Sequence, residues 1–299
     1  MVRLDELVGL RQGARDLSLL PHQAKNSLLA GERSSRLRGR GLDFEELRAY
    51  VAGDDVRSID WRVTARARRP FVRVYREERD RPVLLVVDQR PSMFFGSQTR
   101  MKSVAAARLA ALVAWSAVAR GDRVGAYLFG AERDWALRPE RSVARVQRLC
   151  ESLVESNQAL LDAVPAAPRD AAEALGAAAR LAGHDALILV LSDFRDLSDS
   201  ARASFERLRR HNDLVLVWVT DPLERELPDV GRVRVSDGID ERVLPAADAG
   251  FRERFGRAYR DEQATFEAYV RDAGAVGFEL STEDDVVERL RVVLGRSRA

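Results

Sequence analysis

The sequence predicts an α/β protein: a doubly wound, mostly parallel sheet that follows a small strand-containing module. Along residues 82–299, short apolar runs alternate with segments of helical periodicity, which is the pattern of parallel strands joined by helices. Two of these runs are continuously apolar and end in a carboxylate, at Asp88 and Asp193, as expected of strands covered on both faces. We therefore predict a helical segment at 1–30, the module at 31–81 and the α/β domain at 82–299.

The first 81 residues lack that alternation. Leucines at helical spacing from Leu4 to Leu20, followed by Pro21, predict a short amphipathic helix. Residues 31–41 read GERSSRLRGRG and predict an exposed loop. The sequence VAGDDV predicts a turn, and the alternation of apolar and charged residues over 71–77 predicts a strand after it.

The elements of the α/β domain follow in order. The predicted strands are residues 82–88, 123–130, a short edge strand around Trp135 and Leu137, then 186–193, 214–220 and 276–280. The predicted helices are residues 101–120, closed by Gly121, then 143–154, 170–182, 202–210, 249–273 and a last helix ending at Leu294, capped by Ser281 or Thr282.

Composition excludes several classes of protein. With 46% hydrophobic residues the 299-residue chain can bury a core, so disorder as the main state is excluded. The 49 basic and 47 acidic residues nearly cancel, which argues against a nucleic-acid-coating protein. The cancellation hides a gradient, since residues 1–81 carry 18 basic and 13 acidic residues, and residues 82–299 carry 31 and 34.

The sequence predicts a cytoplasmic protein without a membrane span. The longest apolar run, Val104–Ala119, contains Arg108 and is too short for a bilayer core of about 30 Å. Asp5 and Glu6 stand where a signal peptide needs a basic start and a long apolar stretch. The single cysteine, Cys150, excludes an internal disulfide and a zinc site built from cysteine pairs, and it fits a reducing compartment.

The carboxyl ends of the central strands predict a crevice. Asp88, followed by Arg90 and Ser92, and Asp193 are expected to meet there. This arrangement resembles the von Willebrand factor A-type domain, whose metal-ion-dependent adhesion site reads Asp-x-Ser-x-Ser on the first strand, with a threonine and an aspartate from later loops. The resemblance implies Mg²⁺ held by carboxylates and hydroxyls, with one position open for an acidic side chain of a partner.

The chain departs from that adhesion pattern at two positions. Arg90 stands in place of the first serine, and residues 156–175 contain no threonine. Only Asp88, Ser92 and Asp193 match, so they would be the ligands of any metal. A guanidinium between two carboxylates occupies the position of the cation. We therefore expect Arg90 to pair with Asp88, Asp193 or both, and we expect no metal and no cofactor.

A second, denser resemblance lies upstream. It is carried by GRGLDFEELRAY at 39–50, GDDVRSIDW at 53–61, Ala65-Arg66 and Glu77-Glu78-Arg79. These stretches resemble the hallmark of the bacterial domain-of-unknown-function family 58, and the likeness extends over about residues 31–290. It implies a short, soluble member that acts beside a MoxR-type AAA+ ATPase as a binding or adaptor factor for a client protein.

An enzymatic alternative rests on Asp54, Asp55 and Asp60, a carboxylate cluster that could hold a metal for hydrolysis. The same acids are also typical of a turn that caps a strand end or pairs with arginines such as Arg57, and Trp61 is either an anchor beneath that turn or an exposed binding residue. The three histidines, His22, His184 and His211, match no metal-ligand spacing, and no P-loop or GxSxG motif is present.

The sequence therefore predicts a non-enzymatic binding protein for a MoxR-type ATPase, its client or both, with no nucleic acid bound. The predicted binding surface comprises Asp88, Arg90, Ser92, Asp193, Asp54, Asp55, Arg57, Asp60 and Trp61. The metal-dependent hydrolase and a Mg²⁺-bridged ligand-binding module stay open as alternatives.

Overall fold

The computed structural model describes residues 1–15, 17, 42–51, 54–67, 69–77, 81–130, 133–161, 170–195, 197–236 and 241–295. The chain divides into two compact units: Met1–Gly31 with Arg81–Ala299, the large unit, and Glu32–Asp80, the small unit. Pro21, the predicted loop at 31–41 and Gly53 of the predicted turn lie outside the described residues.

The chain begins with helix α1 (Leu4–Ala14), which belongs to the large unit. The predicted helix ran to Leu20, but the helix ends at Ala14 and the backbone at Arg15 is a turn. Leucine spacing alone overestimated its length, because Leu17 is buried outside the helix.

The small unit contains an antiparallel pair, β1 (Leu42–Ala49) and β2 (Phe71–Glu77), with a bulge between Phe44 and Glu46. A 3₁₀ turn at Val56–Ser58 and helix α2 (Trp61–Ala67) lie between the two strands. The predicted strand at 71–77 is confirmed. The sequence analysis missed β1, because LDFEELRA is rich in helix-forming residues and pairing with β2 overrides that propensity.

The large unit continues with eight described strands. They are β3 (Val83–Gln89), β4 (Val124–Gly130), β5 (Asp134–Glu140), β6 (Leu187–Ser192), β7 (Asp213–Thr220), β8 (Val233–Ser236), β9 (Glu241–Leu244) and β10 (Val276–Ser281). Six form one sheet in the order β10-β7-β6-β3-β4-β5, in which β5 alone runs antiparallel to its neighbour. The predicted mostly parallel α/β sheet is therefore confirmed.

Strands β8 and β9 form a separate antiparallel pair, which the sequence analysis missed. Each strand has only four residues, and most of their side chains are exposed, so they carry no apolar run. A strand stabilised mainly by its partner leaves little signal in its own sequence.

Helices cover both faces of the six-stranded sheet. They are α3 (Lys102–Ala119), α4 (Val143–Ala159), α5 (Ala171–Ala182), α6 (Asp199–Arg209), α7 (Pro222–Arg225), α8 (Ala249–Asp272) and α9 (Val286–Val293). Side chains of β3 alternate between two cores: Leu85 packs with α3, α4 and α9, whereas Leu84 and Val86 pack with α5, α6 and α8. This alternation explains why β3 reads as a continuous apolar run.

The predicted cap of the last helix was wrong. Helix α9 begins at Val286, and its N-cap is Asp285, whose carboxylate accepts from the backbone N–H groups of Val287 and Glu288. Thr282 lies three residues earlier and donates its hydroxyl hydrogen to Asp221 instead.

Helix α3 is the central helix of the first core. Among the described helices it alone is long and apolar enough to cross a membrane, but 83% of that stretch is buried within the fold, as in a core helix. Its Trp115 indole donates to the carbonyl of Leu7 at 3.0 Å, and Ser116 donates to the carbonyl of Leu17 at 2.7 Å. These bonds fix the N-terminal segment to helix α3.

Candidate functional site

The site lies where the strand order of the large sheet reverses. Strand β3 lies between β4 and β6, so the chain moves to one side of β3 first and to the other side later. Crevices that bind ligands in open α/β sheets occur at such points, beyond the carboxyl ends of the strands. Asp88 lies at that end of β3, and Asp193 follows β6 directly.

Asp88 is fully buried and is bound by Arg90. The Arg90 Nε donates to both carboxylate oxygens at 3.1 Å, and Nη2 donates to Oδ2 at 2.8 Å. The backbone N–H of Arg90 and the hydroxyl of Ser192 complete the set, at 2.9 and 2.6 Å. The predicted ion pair is therefore present. Both carboxylate oxygens of Asp88 are occupied by these donors and are not available to another ligand.

The Arg90 guanidinium faces the second aspartate as well. Its Nη2 is 3.9 Å from Oδ1 of Asp193 and donates to the carbonyl of Arg195 at 3.4 Å. Its central carbon lies 5.6 Å from the centre of the Phe129 ring, a cation–π contact. Only 5% of Arg90 is exposed, so its charge is held inside the protein.

A second buried cation, Lys102, binds Asp193 from the other side. The Lys102 Nζ donates to Asp193 at 3.0 Å and to Glu224 at 2.9 Å, and no part of Lys102 is exposed. Burial acts against the charged form of Lys102, but attraction to Asp193 and Glu224 outweighs it and raises the pKa of the ammonium. Burial likewise opposes the charge of Asp193, but Lys102 and Arg90 outweigh it and hold the pKa of that carboxyl below its usual range.

Arg195 extends the same alternation of charge to the surface. Its two terminal nitrogens lie 3.2 Å from Glu224 and 3.2 Å from Glu262. Burial opposes its charge, but these carboxylates raise its pKa. We call the six side chains of this network the crevice cluster: Asp88, Arg90, Lys102, Asp193, Arg195 and Glu224.

The loop after β6 carries backbone strain. Phe194 has a φ of +54°, which is uncommon for a residue with a large side chain. Its ring is buried against Phe205 and Phe266, and its backbone N–H donates to the hydroxyl of Ser192 at 3.0 Å. Such conformations persist only where the surroundings hold them and are concentrated at functional sites. Here the strained residue directly follows Asp193, which binds Lys102 and faces Arg90.

The crevice does not fit a divalent cation. Mg²⁺ needs about six oxygen ligands in near-octahedral geometry. The oxygens of Asp88 and Asp193 already accept from Arg90, Lys102 and backbone donors, and two buried positive charges face the same space. Ser92 is half-buried and, among the described residues, makes no hydrogen bond to either carboxylate.

The small unit uses its three predicted acids separately. Asp54 accepts two hydrogen bonds from Arg48, at 2.8 and 2.7 Å, and these bonds lower its pKa. Asp55 caps the 3₁₀ turn by accepting from the backbone N–H of Arg57 at 2.9 Å. Asp60 caps α2 by accepting from the N–H of Arg62 at 2.9 Å. No group of three or more His, Cys, Asp or Glu side chains is placed to hold a metal ion among the described residues.

Trp61 is the first residue of α2 and is 69% exposed. The interpretation of Trp61 as an anchor beneath the turn was therefore wrong, because its side chain is exposed. The side chain of Asp60 is mostly buried instead. Of the three histidines, His22 lies outside the described residues, while His184 and His211 stack edge to face at 4.7 Å, away from the crevice cluster.

Comparison with known protein families assigns the chain to a family. The model of the family "Protein of unknown function DUF58" matches residues 46–265, which is more than half of the chain. The chain belongs to the DUF58 family. It is 30% identical over 292 residues to the uncharacterized protein Rv1480 of Mycobacterium tuberculosis and to the uncharacterized protein Mb1516 of Mycobacterium bovis, covering 97% of this chain and 90% of each relative.

Two solved structures are similar to the DUF58 chain. One is the conserved hypothetical protein BatB from Bacteroides thetaiotaomicron, with 14% identity and a TM-score of 0.43. The other is an aerotolerance-related membrane protein from Bacteroides fragilis, with 14% identity and a TM-score of 0.40. Each match covers 72% of this chain and 98% of the other chain.

Sequence reasoning missed three members of the crevice cluster in this DUF58 chain: Lys102, Arg195 and Glu224. A signal was available for Lys102, one of only two lysines in the chain, because it opens a helix that is otherwise mostly apolar. Glu224 had none, since its helix α7 is four residues long and lies 122 residues from Lys102.

Proposed function

We propose that this DUF58 chain is a non-enzymatic protein-binding adaptor that acts in the cytoplasm with a MoxR-type AAA+ ATPase on a client protein. The observation that carries the proposal is the Arg90 guanidinium, buried on Asp88 and 3.9 Å from Asp193. It supports a crevice whose charges are fixed by buried ion pairs and which meets a partner through Arg195, the partly exposed member of the cluster. On this proposal, the crevice at the carboxyl ends of the strands, where α/β domains carry their active sites, holds neither a metal nor a catalytic group.

We infer that the large unit is of the von Willebrand A-like type with a degenerate adhesion site. In support, Asp88 ends the first strand of a sheet with an antiparallel edge strand, and Asp193 follows a later strand beside it. Arg90 takes the place of the first serine of the adhesion motif and of the cation itself. Because the cluster is held by buried ion pairs, it persists without Mg²⁺.

The small unit supplies a second recognition surface, the Trp61 face. Trp61, Arg62, Ala65 and Arg66 are all exposed on α2 at positions i, i+1, i+4 and i+5, which share one side of a helix. Neither Arg62 nor Arg66 forms an ion pair with any residue that the structure describes. Tryptophan and arginine are enriched among the residues that dominate binding energy at protein interfaces.

None of the three nearby acids in the described part of the small unit forms an ion pair with Arg62 or Arg66 of the Trp61 face. Asp55 and Asp60 cap local turns, and Asp54 is held by Arg48. The face is therefore basic as well as aromatic, and charge complementarity favours an acidic segment on the ATPase or its client. This surface is the part of the proposal that a binding experiment can isolate, because its residues have no role in either core.

The experiment is a binding titration of the full chain against the MoxR-type ATPase of the same genome. Trp61→Ala should weaken binding by about tenfold or more, since truncation of a central interface tryptophan costs roughly 2 kcal/mol. Val243→Ala is the matched control, because Val243 is 53% exposed on β9 and distant in sequence. Equal affinities for wild type and Trp61→Ala would remove this face from the proposal.

Asp193→Ala tests the crevice in the same titration, with circular dichroism confirming that the variant is folded. Loss of binding on adding EDTA would instead favour a Mg²⁺-bridged module with Asp88, Ser92 and Asp193 as ligands. Turnover of phosphoesters or peptides with Mn²⁺, abolished by Asp60→Asn, would favour the metal-dependent hydrolase.

A further inference from the structure

A cleft of about 470 Å³ lies on the large unit between α5, strand β4 and the edge strand β5. Pro82 and Arg123, which line it, precede β3 and β4, so the cleft lies at the amino ends of the parallel strands. The crevice cluster lies at the opposite edge of the sheet. The volume falls within the range of small-molecule sites, roughly 300–1,000 Å³.

Three arginines from three separate segments of the chain line this cleft. Arg123 precedes β4, Arg138 lies on β5 and Arg180 lies on α5. Of the ten described residues that line the cleft, none is acidic. Arg138 and Arg180 are exposed, and neither forms an ion pair with a residue in the described part of the chain. The cleft therefore has a local excess of positive charge, which the walls of a cavity concentrate.

A β-bulge between β4 and β5 positions the residues of β5 that form one wall of the cleft. Val124 pairs with Glu140 and Ala126 pairs with Leu137, so β5 advances three residues while β4 advances two. Gly125 makes the bulge possible, because a Cβ there would lie 2.8 Å from the ring of Pro139. Bulges redirect side chains and are frequent next to binding sites. In this chain the bulge brings Pro139 and its neighbour Arg138 to the cleft.

The floor of the cleft is apolar. Tyr127 and Ala136, which pair across β4 and β5, both line it. The Tyr127 hydroxyl donates to Asp134 at 2.7 Å, and its ring is mostly buried beneath the cleft. Ala177 of α5 leaves space on the far wall. A small apolar floor with cationic walls suits a compact ligand that carries charge on more than one side.

We propose that this cleft binds a small polyanion, a molecule with two or more phosphate or carboxylate groups. Guanidinium groups match both kinds of oxyanion because their N–H donors form two parallel hydrogen bonds to one group. Arg138 and Arg180 lie on opposite walls, on β5 and α5, so a ligand needs one such group for each of them. The cleft shares no residue with the crevice cluster or the Trp61 face, and this proposal does not depend on the adaptor function.

The test is isothermal titration of the full chain with inorganic pyrophosphate and, separately, with citrate, at low ionic strength. We expect saturable binding of at least one of them, and Arg138→Gln with Arg180→Gln should weaken it about tenfold or more, since two charge-assisted contacts are lost. Binding of pyrophosphate alone identifies phosphate as the favoured group, and binding of citrate alone identifies carboxylate. Arg123 is left unchanged because it is half-buried beside the first residue of β4.

Arg260→Gln with Arg271→Gln is the matched control: it removes two positive charges from the exposed surface of α8 and should leave affinity within about twofold. Equal weakening by this control would show that only net charge matters and would overturn the proposal. Absence of saturable binding for both anions would overturn it as well. So would tighter binding of a single-stranded oligonucleotide with the same dependence on Arg138 and Arg180, because the cleft would then be part of a nucleic-acid surface.

Discussion

Arg90→Ser is the sharpest perturbation of the crevice. The substitution removes three hydrogen bonds from the side chain of Arg90 to a fully buried Asp88 and leaves only the backbone N–H and the Ser192 hydroxyl. Breaking a buried ion pair by removing one partner costs about 3–5 kcal/mol, because the remaining charge stays buried. For a unit of this size we expect the melting temperature to fall by roughly 6–20 °C.

Magnesium separates loss of the ion pair from loss of packing. Serine at position 90 restores one hydroxyl of the adhesion motif and vacates the space between Asp88 and Asp193. Millimolar Mg²⁺ should therefore stabilise Arg90→Ser, by about 1.4 kcal/mol when its concentration is ten times the dissociation constant, and leave the wild type unchanged. Thermal unfolding followed by circular dichroism, with and without Mg²⁺, measures both effects.

The matched control for Arg90→Ser is Arg202→Ser. Arg202 pairs with Asp272 at 3.2 Å, but both side chains are about half exposed, so this pair should contribute less than about 1 kcal/mol. The reasoning would be refuted if Arg90→Ser cost no more than Arg202→Ser, or if Mg²⁺ stabilised the wild type as strongly as the variant.

Three further predictions concern buried groups. Lys102→Met should lower the free energy of unfolding by about 3–5 kcal/mol, because Asp193 and Glu224 lose their shared cation. Adding Asp193→Asn should recover part of that loss. Strictly additive free energies of urea unfolding for the two substitutions would contradict the pairing. The pKa values of Asp193 and Asp221 are lowered in the folded state, so their stabilisation is present above the unfolded pKa, near 4, and is lost as pH falls through the folded pKa. Melting temperature should therefore fall steeply below about pH 4, less so in Asp221→Asn, and an unchanged slope in that variant would exclude Asp221 as a contributor. Burial raises the pKa of the Cys150 thiol to about 12, so a thiol reagent at neutral pH should label Cys150 only after urea unfolds the chain. Rapid labelling of the native protein would show that the Cys150 thiol is accessible to solvent.

The sheet could be predicted from sequence because its central strands are buried on both faces. Such strands read as continuous apolar runs, so β3, β6 and β7 were found with small errors at their ends. Strands β8 and β9 and the cap at Asp285 left weak signals, because a four-residue exposed strand and a capping aspartate look like loop sequence.

The crevice could be predicted only in part, for a related reason. Asp88, Arg90 and Asp193 follow apolar strands, so their position at the sheet edge is implied by local pattern. Lys102 and Glu224 join them through contacts that span 91 and 122 residues of sequence. No local pattern encodes such a contact, since the distance between the two side chains depends on how whole elements pack.

The balance of charge in the crevice cluster limits what can regulate it. Its three carboxylates and three cations cancel, and an uncompensated charge at this depth would be strongly destabilising. A divalent cation could enter only if Arg90 or Lys102 left, and neither can leave without exposing a buried carboxylate to the same penalty. The loops after β3 and β6 are therefore joined by the cationic side chains of Arg90 and Lys102. We expect any control of the proposed binding to act on surfaces that are free to change their partners, such as the Trp61 face of the small unit.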